Sequence, residues 1–316
     1  MTALEKALVA PKNLSVEEIA ALLGSADEGL WREAFAAARE AKARCGKTEV
    51  LPRGLIECSN VCAKNCLYCG IRKGNDKSMR YRMPEDDVHG CVDEARRQGY
   101  PAVAFQSGEI ESEANTAYYE RLTAYAQPLE VTLSLGEQTE EVYRRWKEAG
   151  AMRYLIRIET SNLELYAKIH PAECSFDRRV ECIRTLKRLG YVTGSGVMIG
   201  LPGQTIDDLA RDIVFYGAEN LDMVGMGPYI AHPDSQLPDS NYQLPTTNYQ
   251  LALRMIALTR LYLWNVNIVA ATALEALDPK GGRQRGIDAG ANVIMTNLTP
   301  VKFRVGYDLY PGKVQA

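Results

Sequence analysis

The sequence predicts an α/β fold, a single (β/α)8 barrel of the TIM type preceded by an N-terminal helical extension, and three observations carry that reading. Eight apolar, β-rich runs alternate with amphipathic helical patterns between residues 54 and 298. The 316 residues exceed a minimal domain and suit one barrel, which commonly takes about 250 residues or more. No phosphate-binding glycine fingerprint follows the first run, which argues against the competing open doubly wound sheet.

The expected strands are 54–60 (GLIECSN), 102–107 (AVAFQS), 130–135 (EVTLSL), 153–159 (RYLIRIE), 192–199 (VTGSGVMI), 223–230 (MVGMGPYI), 267–274 (NIVAATAL) and 291–298 (ANVIMTNL). Between them, PEDDVHGCVDEARRQG, TEEVYRRWKEAG, SFDRRVECIRTLKRLG and TIDDLARDIVFYG space their apolar residues three and four apart, as helices with one buried face do. Several open on Thr, Ser or Pro followed by acids and close on Gly, the order that capping and the helix dipole favour. Residues 1–50 hold two more helical patterns, the first with Ser15 and Glu18 as a capping box, and form the extension. The barrel is then residues 51–316. The stretch 232–247, rich in Pro, Asp and Asn, reads as a long loop at the active face.

With 46% hydrophobic and 24% charged residues the chain can bury a large core and keep an ordinary surface. The net charge of -3, with both signs interspersed, gives no basic field for nucleic acid. The first fifteen residues mix charges with alanines, and nothing approaches the ~20 apolar residues of a membrane span. A cytoplasmic protein is expected, with neither nucleic acid nor membrane as partner.

Eight cysteines in a reducing compartment argue for metal rather than disulfides. Cys45, Cys91, Cys174 and Cys182 are isolated and read as small buried hydrophobes without a role. Cys62, Cys66 and Cys69 stand in a CxxxCxxC spacing after the first strand. Three soft thiolates suit zinc or an iron–sulfur cluster, and the missing fourth ligand favours the cluster, because structural zinc takes four protein ligands.

The cysteine loop resembles that of the radical S-adenosylmethionine superfamily. The resemblance implies a 4Fe–4S cluster with one open iron that binds S-adenosylmethionine and cleaves it to a 5′-deoxyadenosyl radical. It also implies a cofactor set at the strand ends: Tyr68 near adenine, Ser107-Gly108-Glu109 where the superfamily has its GGE-like motif, and Ser134, Glu137 and Glu159 for the methionine amine and ribose. Arg179 is the expected partner of the methionine carboxylate. The 196–204 segment resembles the GxIxG motif beside adenine, and Met223 is counted with the cofactor set.

Longer strings, among them IECSNVCAKNCLYCGIRKGN, RYRM, VTLSLGE, GLPGQT, ANVIMTNLTP and YPGK, are similar to the HydE-type maturases of iron-iron hydrogenase. That likeness implies a small-molecule substrate of the organometallic cysteine–iron class and an electron donor such as flavodoxin or ferredoxin. It assigns anion-binding arginines to Arg53, Arg153 and Arg157, read as projecting from the ends of strands one and four, with pairing to Glu57, Glu109 or Glu159 as their bland alternative. The chain departs from the maturase pattern along 270–275, so Thr272 and Glu275 are expected to set which substrate is accepted. A radical mutase on an amino acid, like methylornithine synthase, is the second enzyme reading. An electron-transfer or cluster-carrier protein is the non-enzyme alternative.

Overall fold

A computed structural model of the chain describes residues 5–7, 11–237 and 244–313. Its strands are β1 Leu51–Ser59, β2 Ala102–Ser107, β3 Glu130–Ser134, β4 Ala151–Leu155, β5 Val192–Ser195, β6 Met198–Ile199, β7 Met223–Val224, β8 Gly227–Pro228, β9 Asn267–Ile268 and β10 Val293–Asn297. The helices are α1 Val16–Gly24, α2 Glu28–Arg44, α3 Glu85–Arg97, α4 Glu113–Ala126, α5 Glu140–Glu148, α6 Leu163–Ile169, α7 Phe176–Arg188, α8 Ile206–Ala218, α9 Asn248–Tyr262, α10 Thr272–Leu277, α11 Gly282–Asp288 and α12 Val301–Arg304. No helix among the described residues is long and apolar enough to cross a membrane.

Eight strands form one sheet in the order β10-β1-β2-β3-β4-β5-β7-β9, every neighbouring pair parallel. A parallel bridge between Val269 and Val293 joins the two edges, with Ala270 N donating to Val293 O and Asn292 N to Ile268 O, both 2.9 Å. The expected barrel therefore closes.

Fully buried Arg260 on α9 holds this seam. Its guanidinium donates to Gly290 O at 2.9 Å, to Trp264 O and Val266 O at 2.7 Å, and to Asn292 Oδ1 at 3.0 Å. The same Oδ1 accepts from Ile268 N at 2.9 Å, so a cation surrounded by carbonyls ties β9 to the approach of β10. Such a fork satisfies four acceptors at once, which an ammonium with three donors could not.

The N-terminal helices share the barrel's hydrophobic core through Ile19, Leu22, Leu23, Trp31, Ala34 and Ala38. The capping box forms: Ser15 Oγ accepts from Glu18 N at 3.3 Å and the Glu18 carboxylate accepts from Ser15 N at 2.8 Å. α1 packs on α8 and α2 on α9. Lys42 then donates to Ile287 O at 2.7 Å and Ala291 O at 3.2 Å, at the base of the barrel beside the start of β10.

β4 ends at Leu155 rather than at residue 159, and three further expected runs do not continue as single strands. The run 192–199 divides into β5 and β6, and 223–230 into β7 and β8, with β6 and β8 forming a separate parallel ribbon. The break is steric: a Cβ on Gly196 would lie 1.8 Å from Gly225 O, so the two backbones touch where the ribbon leaves the sheet. The run 267–274 ends as a strand at Ile268, and α10 begins at Thr272. Of the expected loop 232–247, residues 238–243 lie outside the described residues.

α8 also anchors the chain leaving β4. Fully buried Asp212 accepts at Oδ1 from Ser161 N and Ser161 Oγ, both 2.6 Å. This fixes the turn just beyond Glu159, whose φ of 64° is in the left-handed region that a side chain adopts only when its surroundings enforce it. Burial pushes the Asp212 carboxyl up to about 7, against the two Ser161 bonds. A carboxyl raised above its unfolded value of about 4 contributes stability that is fully present below pH ~4 and lost as pH rises towards 7. Asp212→Asn keeps the acceptor oxygen and removes that titration. Melting temperatures measured across pH should therefore shift in favour of the variant, relative to the natural chain, between pH 5 and 7 and then level off. A difference that stays flat over that range would contradict the assignment.

Candidate active site

In a closed parallel barrel the loops after the strands share one face. The loop after β1 carries Cys62, Cys66 and Cys69, each half-buried, and its turn is set by Cys69 N donating to Cys66 O at 3.1 Å. The next strand end clasps it: Ala63 N donates to Glu109 O at 2.8 Å, Gly108 N to Ser59 O at 3.0 Å, and Glu109 N to Cys62 Sγ at 3.3 Å. Gly108 is required there, because a Cβ would meet Val61 O at 2.3 Å and Cys62 Cβ at 2.7 Å. Burial raises the Cys62 thiol, and burial followed by the neighbouring Cys62 pushes Cys69 up to about 12. Three thiols in one turn, one already accepting an amide N–H, fit a cluster bound through three cysteines.

A fourth thiol stands close by. Cys174, in the loop between α6 and α7, is the hydrogen-bonding neighbour that, before burial, raises Cys66. Sequence spacing gave no sign of it, since 108 residues separate the two.

Tyr68 is held from the far side. Burial lowers His170 to about 4, leaving a neutral ring whose Nδ1–H donates to Tyr166 O at 3.0 Å, so Tyr68 O–H donates to Nε2 at 3.3 Å.

Carboxylates from three strand ends converge beside the cysteines, and each meets a cation. Glu137 accepts from Arg179 Nε at 2.5 Å and Arg178 Nε at 3.0 Å. Arg179 also donates to Arg157 O at 2.8 Å and lies 3.9 Å from Glu109, which pairs with Lys64 at 3.2 Å. Glu159 pairs with Arg157 at 2.9 Å. Burial raises Glu109 and Glu159, opposed by Arg179 for the first and by Arg157 and Arg179 for the second. Ser107 donates to Gly108 O at 2.7 Å, and Ser134 closes β3 opposite Gln106. Met223 lines the interior beside Gly194 and Leu155.

The anion-site arginines separate. Arg157 is at the mouth, in the pairing with Glu159 that was its bland alternative, and also donates to Val197 O at 2.8 Å. Arg53 and Arg153 are not at outgoing strand ends. Arg53 is the third residue of β1, six residues or about 20 Å of strand before Ser59, and donates to Thr132 at 2.9 Å. Arg153 pairs with Glu130 at 2.8 Å near the start of β3. Both are satisfied below the mouth, because Arg53 precedes the outgoing end of β1 by six residues and Arg153 lies within β4 opposite Val192, the first residue of β5.

Thr272 and Glu275 meet partners that the sequence reading missed. Thr272 Oγ1 is 2.6 Å from Tyr310 Oη, and Glu275 is 2.5 Å from Arg283. The segment after α12 delivers this tyrosine and then Lys313, whose ammonium pairs with Glu57 inside the barrel and donates to Tyr307 O at 2.9 Å. Asn297 donates to the other Glu57 oxygen at 3.0 Å. The YPGK string was the only sequence signal for these contacts.

Comparison with known proteins agrees with this geometry. The model of the radical SAM superfamily matches residues 56–215. The FeFe hydrogenase maturase subunit HydE of Thermotoga maritima is 44% identical over 295 residues, 91% of this chain and 81% of that protein. The 3-methylornithine synthase of Methanosarcina barkeri is 24% identical over 282 residues, 86% of this chain and 76% of its own length. Two solved structures share the fold. The crystal structure of methylornithine synthase has a TM-score of 0.80 at 21% identity, covering 93% of this chain and 85% of its own. HydG from Carboxydothermus hydrogenoformans has a TM-score of 0.79 at 18% identity, covering 94% and 70%. With its three-cysteine loop set against the charged mouth of a parallel barrel, and that sequence match over nine-tenths of its length, the chain belongs to the radical SAM superfamily, enzymes of a 4Fe–4S cluster and S-adenosylmethionine, and within it to the family of the HydE relative.

Proposed function

We propose that this enzyme performs the HydE-type maturase step in assembly of the iron-iron hydrogenase active-site cluster, acting in the cytoplasm on a small cysteine-bound iron complex with flavodoxin or ferredoxin as electron donor. The observation that carries the reading is the three-thiol loop facing paired carboxylates and arginines, in a chain of the HydE family.

The bound cluster and S-adenosylmethionine supply a 5′-deoxyadenosyl radical on one-electron reduction. Cys62, Cys66 and Cys69 hold the cluster. Tyr68, the backbone of Ser107, Gly108 and Glu109, and the side chains of Ser134, Glu137, Glu159, Arg179 and Met223 form the cofactor's surroundings. Glu159, buried and held left-handed, offers a carboxylate to the ammonium or the ribose hydroxyls. Arg179 already has Glu137 on one edge and a main-chain carbonyl on another, so its orientation is set before any ligand arrives. Arg157, Thr272 and Glu275, with Tyr310 and Lys313, wall the space for substrate. The segment carrying Tyr310 and Lys313 lies across the mouth and helps exclude water from a reactive radical.

Three outcomes are expected. Cys66→Ala should lose the ~4 irons per chain of this cluster type, whereas Cys174→Ala should retain them. Equal iron in the two variants would overturn the ligand assignment. Glu159→Gln should weaken S-adenosylmethionine binding about tenfold by calorimetry with cluster iron unchanged, the magnitude of one charge-assisted hydrogen bond. Finally, the gene should restore hydrogenase activity to a strain lacking its own maturase, and Thr272→Val, which cannot bond Tyr310, should impair that rescue. Cleavage of S-adenosylmethionine without rescue would instead favour the amino-acid mutase reading.

A further inference from the structure

Arg80 closes the cysteine loop from outside it. Its Nη1 donates to Asn60 O and Ile71 O, both 2.8 Å, and its Nη2 to Arg72 O at 2.5 Å and Asn75 O at 3.1 Å. Asn60 precedes the first cysteine and the other three acceptors follow the last, so one planar group ties the entry of the loop to its exit. The Asn60 side chain extends the clamp, donating to Met79 O at 2.7 Å and Gly306 O at 2.6 Å and accepting from Tyr81 N at 2.7 Å.

The clamp accounts for the four bonds but not for the charge. Several neighbouring cations have carboxylates, Lys64 with Glu109, Lys77 with Asp234 and Arg157 with Glu159, whereas Arg72 in the same loop is buried with two guanidinium nitrogens unpartnered. No ion pair joins Arg80 to a carboxylate among the described residues, and its guanidinium meets carbonyl dipoles alone. Two of its four acceptors, Asn60 and Ile71, stand two residues from Cys62 and Cys69 respectively, so the cation is held against the cysteine loop itself.

We propose that Arg80 is a positioning residue with two separable effects: its fork holds the cysteine loop closed, and its unpaired charge makes the cluster on Cys62, Cys66 and Cys69 easier to reduce. Reduction adds one negative charge, and a fixed cation close by lowers the energy of that state more than of the oxidised one. Hydrogen bonds and net charge around a cluster are the levers by which protein sets its potential.

The test uses the full chain with its cluster reconstituted, without S-adenosylmethionine, and reads two quantities: the midpoint potential by spectroscopically followed redox titration, and the rate of iron release to a chelator. Arg80→Gln should lower the reduced-to-oxidised ratio about tenfold at a given ambient potential, a midpoint about 59 mV more negative for a one-electron couple. Arg80→Lys keeps the charge but cannot reach four carbonyls, so its midpoint should stay at the natural value while iron leaves several-fold faster. Full iron and an unchanged midpoint in Arg80→Gln would overturn the electrostatic role. Should Arg80→Gln hold no cluster, Arg80→Lys decides: faster iron release at the natural midpoint supports the proposal, and natural release kinetics or a midpoint displaced as far as expected for Arg80→Gln overturns it. Neither readout involves a hydrogenase, so the result stands apart from the maturase reading.

Discussion

The pairing of Arg179 with Glu137 is the interaction on which the mouth of this barrel depends. Both groups are buried, and a carboxylate or guanidinium taken from water alone is expensive by several kcal/mol. Glu137 comes from the chain after β3, Arg179 from α7, and the carbonyl that Arg179 also binds belongs to Arg157 beyond β4. One guanidinium thus sets the relative positions of three loops. Glu109, from the second strand end, completes the set at longer range and carries Lys64 of the cysteine loop with it. Removing Arg179 would leave Glu137 with half-exposed Arg178 alone, and removing Glu137 would leave Arg179 with Glu109 at 3.9 Å as its remaining carboxylate.

The same rule governs the lumen. Glu57, Glu159 and Glu275 each face a cation, from Lys313, Arg157 and Arg283 respectively, so the interior is charged yet close to neutral. Such a chamber suits a substrate bearing both signs, because a ligand carboxylate or ammonium can take one partner of an existing pair without stranding a bare charge. The segment after α12 is part of this arrangement rather than an appendage. It brings Tyr310 to Thr272, Lys313 to Glu57 and Asp308 to within 3.3 Å of His232, spanning the β1 side, the α10 side and the loop after β8.

Rigidity is concentrated where the proposed cofactor residues sit. Glu159 is held left-handed between the bridge to Val197 on one side and the Asp212–Ser161 bonds on the other. Arg80 binds both ends of the cysteine loop, while Arg260 performs the matching task at the base, where β9 meets β10. Both arginines are satisfied mainly by main-chain carbonyls, and Asp212 by one main-chain N–H and one hydroxyl, which fixes backbone geometry without demanding a charged partner.

By itself the sequence determined whatever depends on short spacing. The alternation of β-rich runs and amphipathic helices, the Ser15–Glu18 cap, the cysteine triad and the polar residues at strand ends all lie within a turn or a single element, where period and residue type decide the outcome. Tertiary structure decided what depends on register and closure. That Arg53 lies at the base follows from the direction of β1, which carries it six residues below the outgoing end, and whether runs 192–199 and 223–230 remain whole turns on the collision that any side chain at Gly196 would make with Gly225. Arg157 was visible as an arginine at a strand end with Glu57, Glu109 and Glu159 as the carboxylates it could meet, and the left-handed turn beyond β4 selected Glu159. Lys313 and Glu57 are 256 residues apart in sequence and meet only because the barrel closes and the last segment turns into its lumen. A linear chain carries no signal for such pairs, because what selects them is the need to satisfy buried charge once the packing is complete.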